Sequence, residues 1–253
     1  MSEIHTDVLS EGRRLVERAA GAGLSLRLLG GVAIRLRAAG ELPELFVRDY
    51  GDLDWVAGKG MSATTQRFFK DAGYLPQVRF NALNGKDRLL FYDETNGRQV
   101  DVFVGSFRMS HEIPIGARLE LDPVTIPLAE LLLTKLQVVE LNEKDVNDAL
   151  TLFHRFPVGE GDGDMINGAH IAALCANDWG LWRTFTANLT TCSKRLGDLE
   201  LPSDDKTLIH ERLKQLEVWI EREPKSRKWR LRAKIGDRKR WYELPEEVTG
   251  GPG

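Results

Sequence analysis

Two aspartates two residues apart, Asp52 and Asp54, stand in the stretch Asp52-Leu53-Asp54-Trp55-Val56, flanked by apolar residues. In an extended strand, residues i and i+2 point to one face, so the two carboxylates project together while Leu53 and Trp55 point away. Like charges this close repel, and burying either is costly unless a cation lies between them. Oxygen-only ligands of this kind suit Mg²⁺ or Mn²⁺. A third aspartate, Asp101, sits in a second apolar strand, Val100-Asp101-Val102-Phe103-Val104. If that strand neighbours the first, Asp52, Asp54 and Asp101 form one metal-ligating set. Such a set can hold two ions that clamp the attacking and leaving oxygens of a phosphoryl displacement. Gly30-Gly31 ends an upstream strand and opens a helix. A turn without side chains, joined to a helix N-terminus, presents backbone N–H groups that can cradle a triphosphate. Arg35, one turn further on, is in reach of the same phosphates; its other reading is a surface arginine.

Taken in order, Gly30-Gly31, Asp52-Leu53-Asp54 and Val100-Asp101-Val102 resemble the signature of the polymerase-β-like nucleotidyltransferases. Within that superfamily, GGVAIRLR (30–37) and LLLTKLQVVELNEKDVNDAL (131–150) resemble the AbiEii-type, minimal nucleotidyltransferase-like group. The resemblance covers about residues 24–155. It implies a mixed sheet flanked by helices and metal-dependent transfer of an NMP group from an NTP to an acceptor hydroxyl. It implies metal-binding roles for Asp52 and Asp54, and for Asp101 either a shared metal ligand or the base that deprotonates the acceptor. Gly30 and Gly31 would contact the triphosphate. Lys135, on the helix after the sheet, would be a catalytic point charge on the β/γ-phosphates, oriented by Asp145 or Asp148. One position departs from the pattern: Val32 follows the glycines where many catalytic members have Ser. The acceptor would be RNA, for example a tRNA 3′ end as in toxin-type relatives that work beside a cognate antitoxin. A small hydroxylated molecule or a protein side chain are the alternatives, as is a non-catalytic nucleotide-binding or interaction protein of the same fold.

The elements that must position these residues follow from hydrophobic periodicity. Residues 5–21 are predicted helical, 24–29 a strand, 32–40 a helix, and the stretch from Gly51 a strand. The long gap between Gly31 and Asp52 predicts an inserted loop around 42–50. Residues 61–72 read as a helix. Tyr74–Leu83, Arg88–Tyr92 and Gln99–Val104 read as strands, separated by the turn dipeptides Asn84-Gly85 and Asn96-Gly97. Arg118–Leu121 reads as a short edge strand. From Pro127 the pattern is helical: 127–142, 145–155, 168–176, 178–197 and 204–222. The fold class expected is therefore α+β: a mixed sheet flanked by helices, then a helical C-terminal half. The expected divisions are 1–125, 126–222 and 223–253.

Composition narrows the function classes. The 253 residues are 42% hydrophobic, with 35 Lys+Arg against 38 Asp+Glu, which excludes a disordered chain. Yet residues 222–240 carry a local charge of +8 in a chain of net charge −3. There Trp229, Leu231, Ala233 and Ile235 alternate with Lys228, Arg230, Arg232 and Lys234, which predicts a basic β-hairpin. Those four cations are the candidate nucleic-acid contacts. The terminal VTGGPG reads as a frayed tail. Cys175 and Cys192 have no metal spacing and read as buried free thiols. No apolar run suggests a secretory leader or a membrane span, so a cytoplasmic protein is expected. Glu160, Asp162 and Asp164 lack the pattern of a Ca²⁺ loop and read as a solvated loop and helix cap. Trp179 and Trp182 read as core residues. His111 and Glu112 fall in a loop with nothing further to mark them.

Overall fold

The computed structural model describes residues 4–244. The terminal VTGGPG lies outside the described residues. Helix α1 (Val8–Gly21) begins at Asp7, whose carboxylate accepts from the Ser10 amide. Strand β1 (Leu26–Leu29) runs directly into α2 (Gly30–Arg37). After the inserted loop come β2 (Leu53–Ala57), α3 (Ser62–Asp71), β3 (Leu75–Pro76), α4 (Val78–Asn84), β4 (Arg88–Asp93) and β5 (Arg98–Val104). The five strands form one mixed sheet in the order β1-β2-β5-β4-β3. Only the β2–β5 pair is parallel. A parallel neighbour requires a long crossover, and α3, β3, α4 and β4 supply it.

Both sheet edges are protected. At β1 the chain returns as residues 124–126, where the Leu28 amide donates to Val124 O at 3.0 Å and the Ile126 amide to Leu28 O at 2.9 Å. The other edge is two residues long and ends in Pro76, which has no N–H to offer another strand. That proline also breaks the strand predicted over Tyr74–Leu83. The Gln77 side chain caps α4 by accepting from the Phe80 amide at 3.2 Å. Asn81 then replaces a strand neighbour for β4. Its Nδ2 donates to Leu90 O at 3.0 Å, and its Oδ1 accepts from the Leu90 amide at 2.7 Å. Asn84-Gly85 consequently closes a helix rather than a hairpin. Asn96-Gly97 does turn between β4 and β5, with Gly97 at φ +62°.

A small hairpin follows, β6 (Ser106–Arg108) with β7 (Glu112–Pro114). The edge strand predicted at Arg118–Leu121 is instead part of a 3₁₀ turn, Gly116–Leu121, packed through Leu119. The C-terminal half contains α5 (Leu128–Leu136), α6 (Glu143–Arg155), a two-residue pairing of β8 (Val158–Gly159) with β9 (Ile166–Asn167), α7 (Gly168–Asn177), α8 (Trp179–Asp198) and α9 (Ser203–Arg222). One cluster of buried side chains runs from Leu15 through the sheet and the helices to Ile220. Among the described residues, no helix is long and apolar enough to cross a membrane.

Buried charges pin this core. Glu11, fully buried, accepts from Tyr74 Oη, the Arg14 guanidinium and the His5 amide. Glu130, also fully buried, is gripped by Arg118, and His170 Nε2 lies 3.0 Å from it. Arg118 reaches on to Asp162, while Arg37 holds Asp164 at 3.1 Å. The acidic loop 159–164 is thus tied down by arginines, and Asn167, not an acid of that loop, caps α7. Cys175 and Cys192 are buried free thiols, and burial raises both; that of Cys192 is pushed up to about 12.

The basic hairpin is absent among the described residues. Residues 227–233 form α10 (Arg227–Ala233), and Gly236–Arg238 a 3₁₀ turn. The alternation that suggests a strand is also compatible with a helix, because Arg, Lys, Leu and Ala are strong helix formers. Ser226 caps it by accepting from the Trp229 amide at 3.1 Å. Helical spacing then gathers Trp229, Arg232 and Ala233 on the inner side. Trp229 meets Trp182 edge-on at 5.1 Å, and Arg232 lies over Trp179 at 4.5 Å. Trp241 follows, 5.8 Å from Trp179, donating through Nε1 to Thr184 Oγ1 at 3.0 Å.

Candidate active site

The parallel β2–β5 register aligns Asp54 with Asp101, and the β1–β2 register aligns Asp54 with Leu29, the residue before the glycines. Side chains at matched positions of neighbouring strands share a face, and Asp52 joins them two residues before Asp54. The three carboxylates therefore project from one end of the sheet. Asp52 is exposed, Asp54 is largely enclosed with part of it reaching solvent, and Asp101 is buried. Burial pushes Asp54 up to about 7, helped by the neighbouring Asp101 charge. Burial also raises Asp101, with the Arg88 guanidinium pulling against it.

Gly30 packs on Asp54. It has φ +71°, and a Cβ built there would lie inside the contact distance of the Asp54 carboxylate. Gly31 is as restricted, for its Cβ would meet Arg48 and come within 2.9 Å of the Tyr50 ring. The inserted loop thus folds back over the start of α2. No side chain caps that helix start, so its first N–H groups have no side-chain partner.

Lys135, on α5, lies 2.8 Å from Asp145 and 2.9 Å from Asp148, both on α6. Burial alone would lower the ammonium, but Asp148 and Asp145 overcome it and hold Lys135 above the usual lysine range. Asp148 is shared, because Arg48 donates to it from Nε at 3.2 Å and Nη2 at 2.9 Å. These two cations, against the burial that opposes them, keep Asp148 below the ordinary aspartate range. Arg48 also stacks 4.3 Å from the Tyr50 ring. Arg35 turns along its own helix and donates to Ala38 O at 3.2 Å.

Sequence reasoning overlooked three residues here. Arg88 grips Asp101, with Nε 2.9 and 3.1 Å from the two carboxylate oxygens and Nη2 closer still to Oδ2. Tyr92 stands on the same face of β4, raised by its own burial and by the charges of Asp101 and Asp52. Arg48 bridges the inserted loop to Asp148. Strand alternation on β4 and the Arg-x-Leu-x-Tyr spacing at 88–92 could have marked the first two. Nothing local marks Arg48, whose partner lies a hundred positions away.

Among the described residues, no three His, Cys, Asp or Glu side chains converge as a ready metal cage. Asp52 and Asp54 remain a pair of oxygen donors on one face. His111 is buried, with Nε2 2.9 Å from Thr184 Oγ1, and Glu112 pairs with Arg108; both lie in a hairpin region rather than at the carboxylates. Trp179 is buried and Trp182 packs against the core. Of the four candidate nucleic-acid contacts, Lys228, Arg230 and Lys234 are exposed, while Arg232 is turned inward and donates to Gly236 O and Lys239 O. Arg227, Arg238, Lys239 and Arg240 are exposed beside them. No protein-family model matches the chain, and no curated protein matches it in sequence.

Proposed function

We propose that this protein is a metal-dependent nucleotidyltransferase that moves an NMP group from an NTP to an acceptor hydroxyl. The observation that carries the reading is the register of Asp54 beside Asp101 on parallel strands, directly against the glycine-led start of α2. Two aspartates on one face, one enclosed and one exposed, suit a hard cation that takes its remaining ligands from phosphate and water. Asp52 and Asp54 would hold Mg²⁺ or Mn²⁺, which would supply Lewis-acid stabilisation of the phosphate charge. The start of α2, which no side chain caps, would receive the triphosphate through its N–H groups, with Arg48 and Tyr50 of the inserted loop packed beside Gly31. Asp101 accepts the proton of the acceptor hydroxyl. The new O–P bond forms at the α-phosphorus as the bond to the β-phosphate bridge breaks, and pyrophosphate leaves with that electron pair.

Lys135 supports the site electrostatically. Its two carboxylate partners hold the ammonium, whose charge favours the ionised form of Asp54. The exposed cations of α10 and the turn after it favour a polyanionic acceptor such as RNA. A second reading, nucleotide binding without transfer, is favoured by the full engagement of Lys135 with Asp145 and Asp148. Incubation with α-³²P-labelled NTPs, Mg²⁺ and total RNA separates the two. Label entering RNA, and lost in Asp52→Asn and Asp101→Asn, supports transfer. A nucleotide-induced rise in melting temperature with no labelled product supports the second reading.

A further inference from the structure

We propose that the site takes one divalent cation, on Asp52 and Asp54, and that the Arg88 guanidinium is the fixed positive charge on the Asp101 side. This inference rests on the transfer reading above. Three shared carboxylates would ordinarily suggest a pair of ions. Here the third carboxylate is already taken. The Arg88 fork meets both oxygens of Asp101, the geometry in which guanidinium binds carboxylate most firmly.

Arg88 is also held from its other sides. The β4–β5 register puts Leu90 opposite Asp101, so Arg88, two residues away, shares the Asp101 face. The guanidinium lies 5.0 Å from the Phe103 ring and 5.9 Å from the Phe80 ring. Only 19% of the Arg88 side chain and 8% of that of Asp101 are exposed. A second cation on Asp101 would have to compete with a guanidinium that already holds both carboxylate oxygens and lies against two rings, which is unfavourable. Asp52 and Asp54 suffice for one ion.

The position of Arg88 gives it a role in the reaction as well. It lines a groove of about 680 Å³ together with Phe80, Phe103 and Arg108. An acceptor seated in this groove would touch Arg88, the partner of Asp101. The guanidinium then holds the Asp101 carboxylate in one orientation for the proton it accepts.

Counting bound Mn²⁺ by electron paramagnetic resonance tests this without relying on turnover. Wild type and Asp101→Asn should each take one Mn²⁺ per chain, and Asp52→Asn should take none. Arg88→Ala, shown folded by circular dichroism, should take a second ion because Asp101 is released. Arg88→Lys, which keeps the charge, should stay at one. Transfer by Arg88→Ala should fall in kcat by about 10²–10³-fold, with KM for the NTP little changed. Two ions in wild type, or one in folded Arg88→Ala, would overturn the role given to Arg88. No ion in wild type would overturn the cation site itself, and the transfer reading with it.

Discussion

Asp54 is kept for a purpose that stability does not explain, and its removal should strengthen the fold. Its carboxyl is pushed from the ordinary 3.8 to about 7 by burial and by Asp101. An unfolded chain ionises this group near 3.8, whereas the folded chain keeps it protonated to about 7. Below 3.8 both states are protonated and the group is neutral to stability. As pH rises from 3.8 to 7 the unfolded state gains progressively, and above 7 the penalty is complete. The ceiling is about 4 kcal/mol, from about 1.4 kcal/mol per pH unit. Part of Asp54 reaches solvent, so about 2 kcal/mol is the figure to expect. Asp54→Asn keeps the shape against Gly30 and removes the charge. At pH 8 it should raise Tm by about 4–8 °C, and at pH 4 by almost nothing. Urea unfolding of both proteins across pH 4–8, in metal-free buffer, measures the difference directly. A variant equally stabilised, or destabilised, at both ends of that range would refute the argument. In wild type, Mg²⁺ should recover the missing stability above pH 7.

Gly30→Ala forces an L residue to φ +71° and drives a methyl into Asp54. Calorimetry should show a loss of about 2 kcal/mol or more, with nucleotide no longer raising Tm. Lys135→Met leaves Asp145 and Asp148 facing each other, with Arg48 the remaining cation on the buried Asp148 among the described residues. Stability should drop by about 3 kcal/mol at pH 7. The depressed folded-state pKa of Asp148 means that its stabilisation is present at neutral pH and disappears in acid. The variant's deficit should therefore shrink as pH falls below 4, a trend that urea titrations at pH 3 and 7 will show or exclude. If α10 docks RNA, Arg230→Glu with Lys234→Glu should weaken filter binding at least tenfold and flatten its salt dependence. Arg232→Glu should instead loosen the packing against Trp179, seen as new proteolytic cleavage near 227–240.

What the sequence reveals follows the range of the forces involved. The Gly30-Gly31 junction and the three aspartates were legible because strand periodicity alone fixes which way their side chains point. The order β1-β2-β5 was not, since register is set by pairing across the sheet. Arg88 and Arg48 share that fate: each is an ordinary basic residue until a partner 13 or 100 positions away is brought beside it. Errors cluster where two periods fit equally well. Residues 228–235 satisfy both a two-residue alternation and a helical one, and tertiary contact of Trp229 and Arg232 with α8 selects the helix. At 74–83 a single proline and the Gln77 cap override an otherwise acceptable strand.

The docking of α10 has a spectroscopic consequence. Of the chain's six tryptophans, Trp179, Trp182, Trp229 and Trp241 belong to one aromatic cluster around the C-terminal segment. Trp55, the one tryptophan on the sheet, faces Phe69 on the side away from the carboxylates. Intrinsic emission of this protein is therefore chiefly a gauge of whether residues 227–241 are seated. A change on adding RNA would report movement of that segment. Nucleotide arriving at Asp52 and Asp54 would be nearly dark to the same signal, and following it calls for a fluorescent nucleotide.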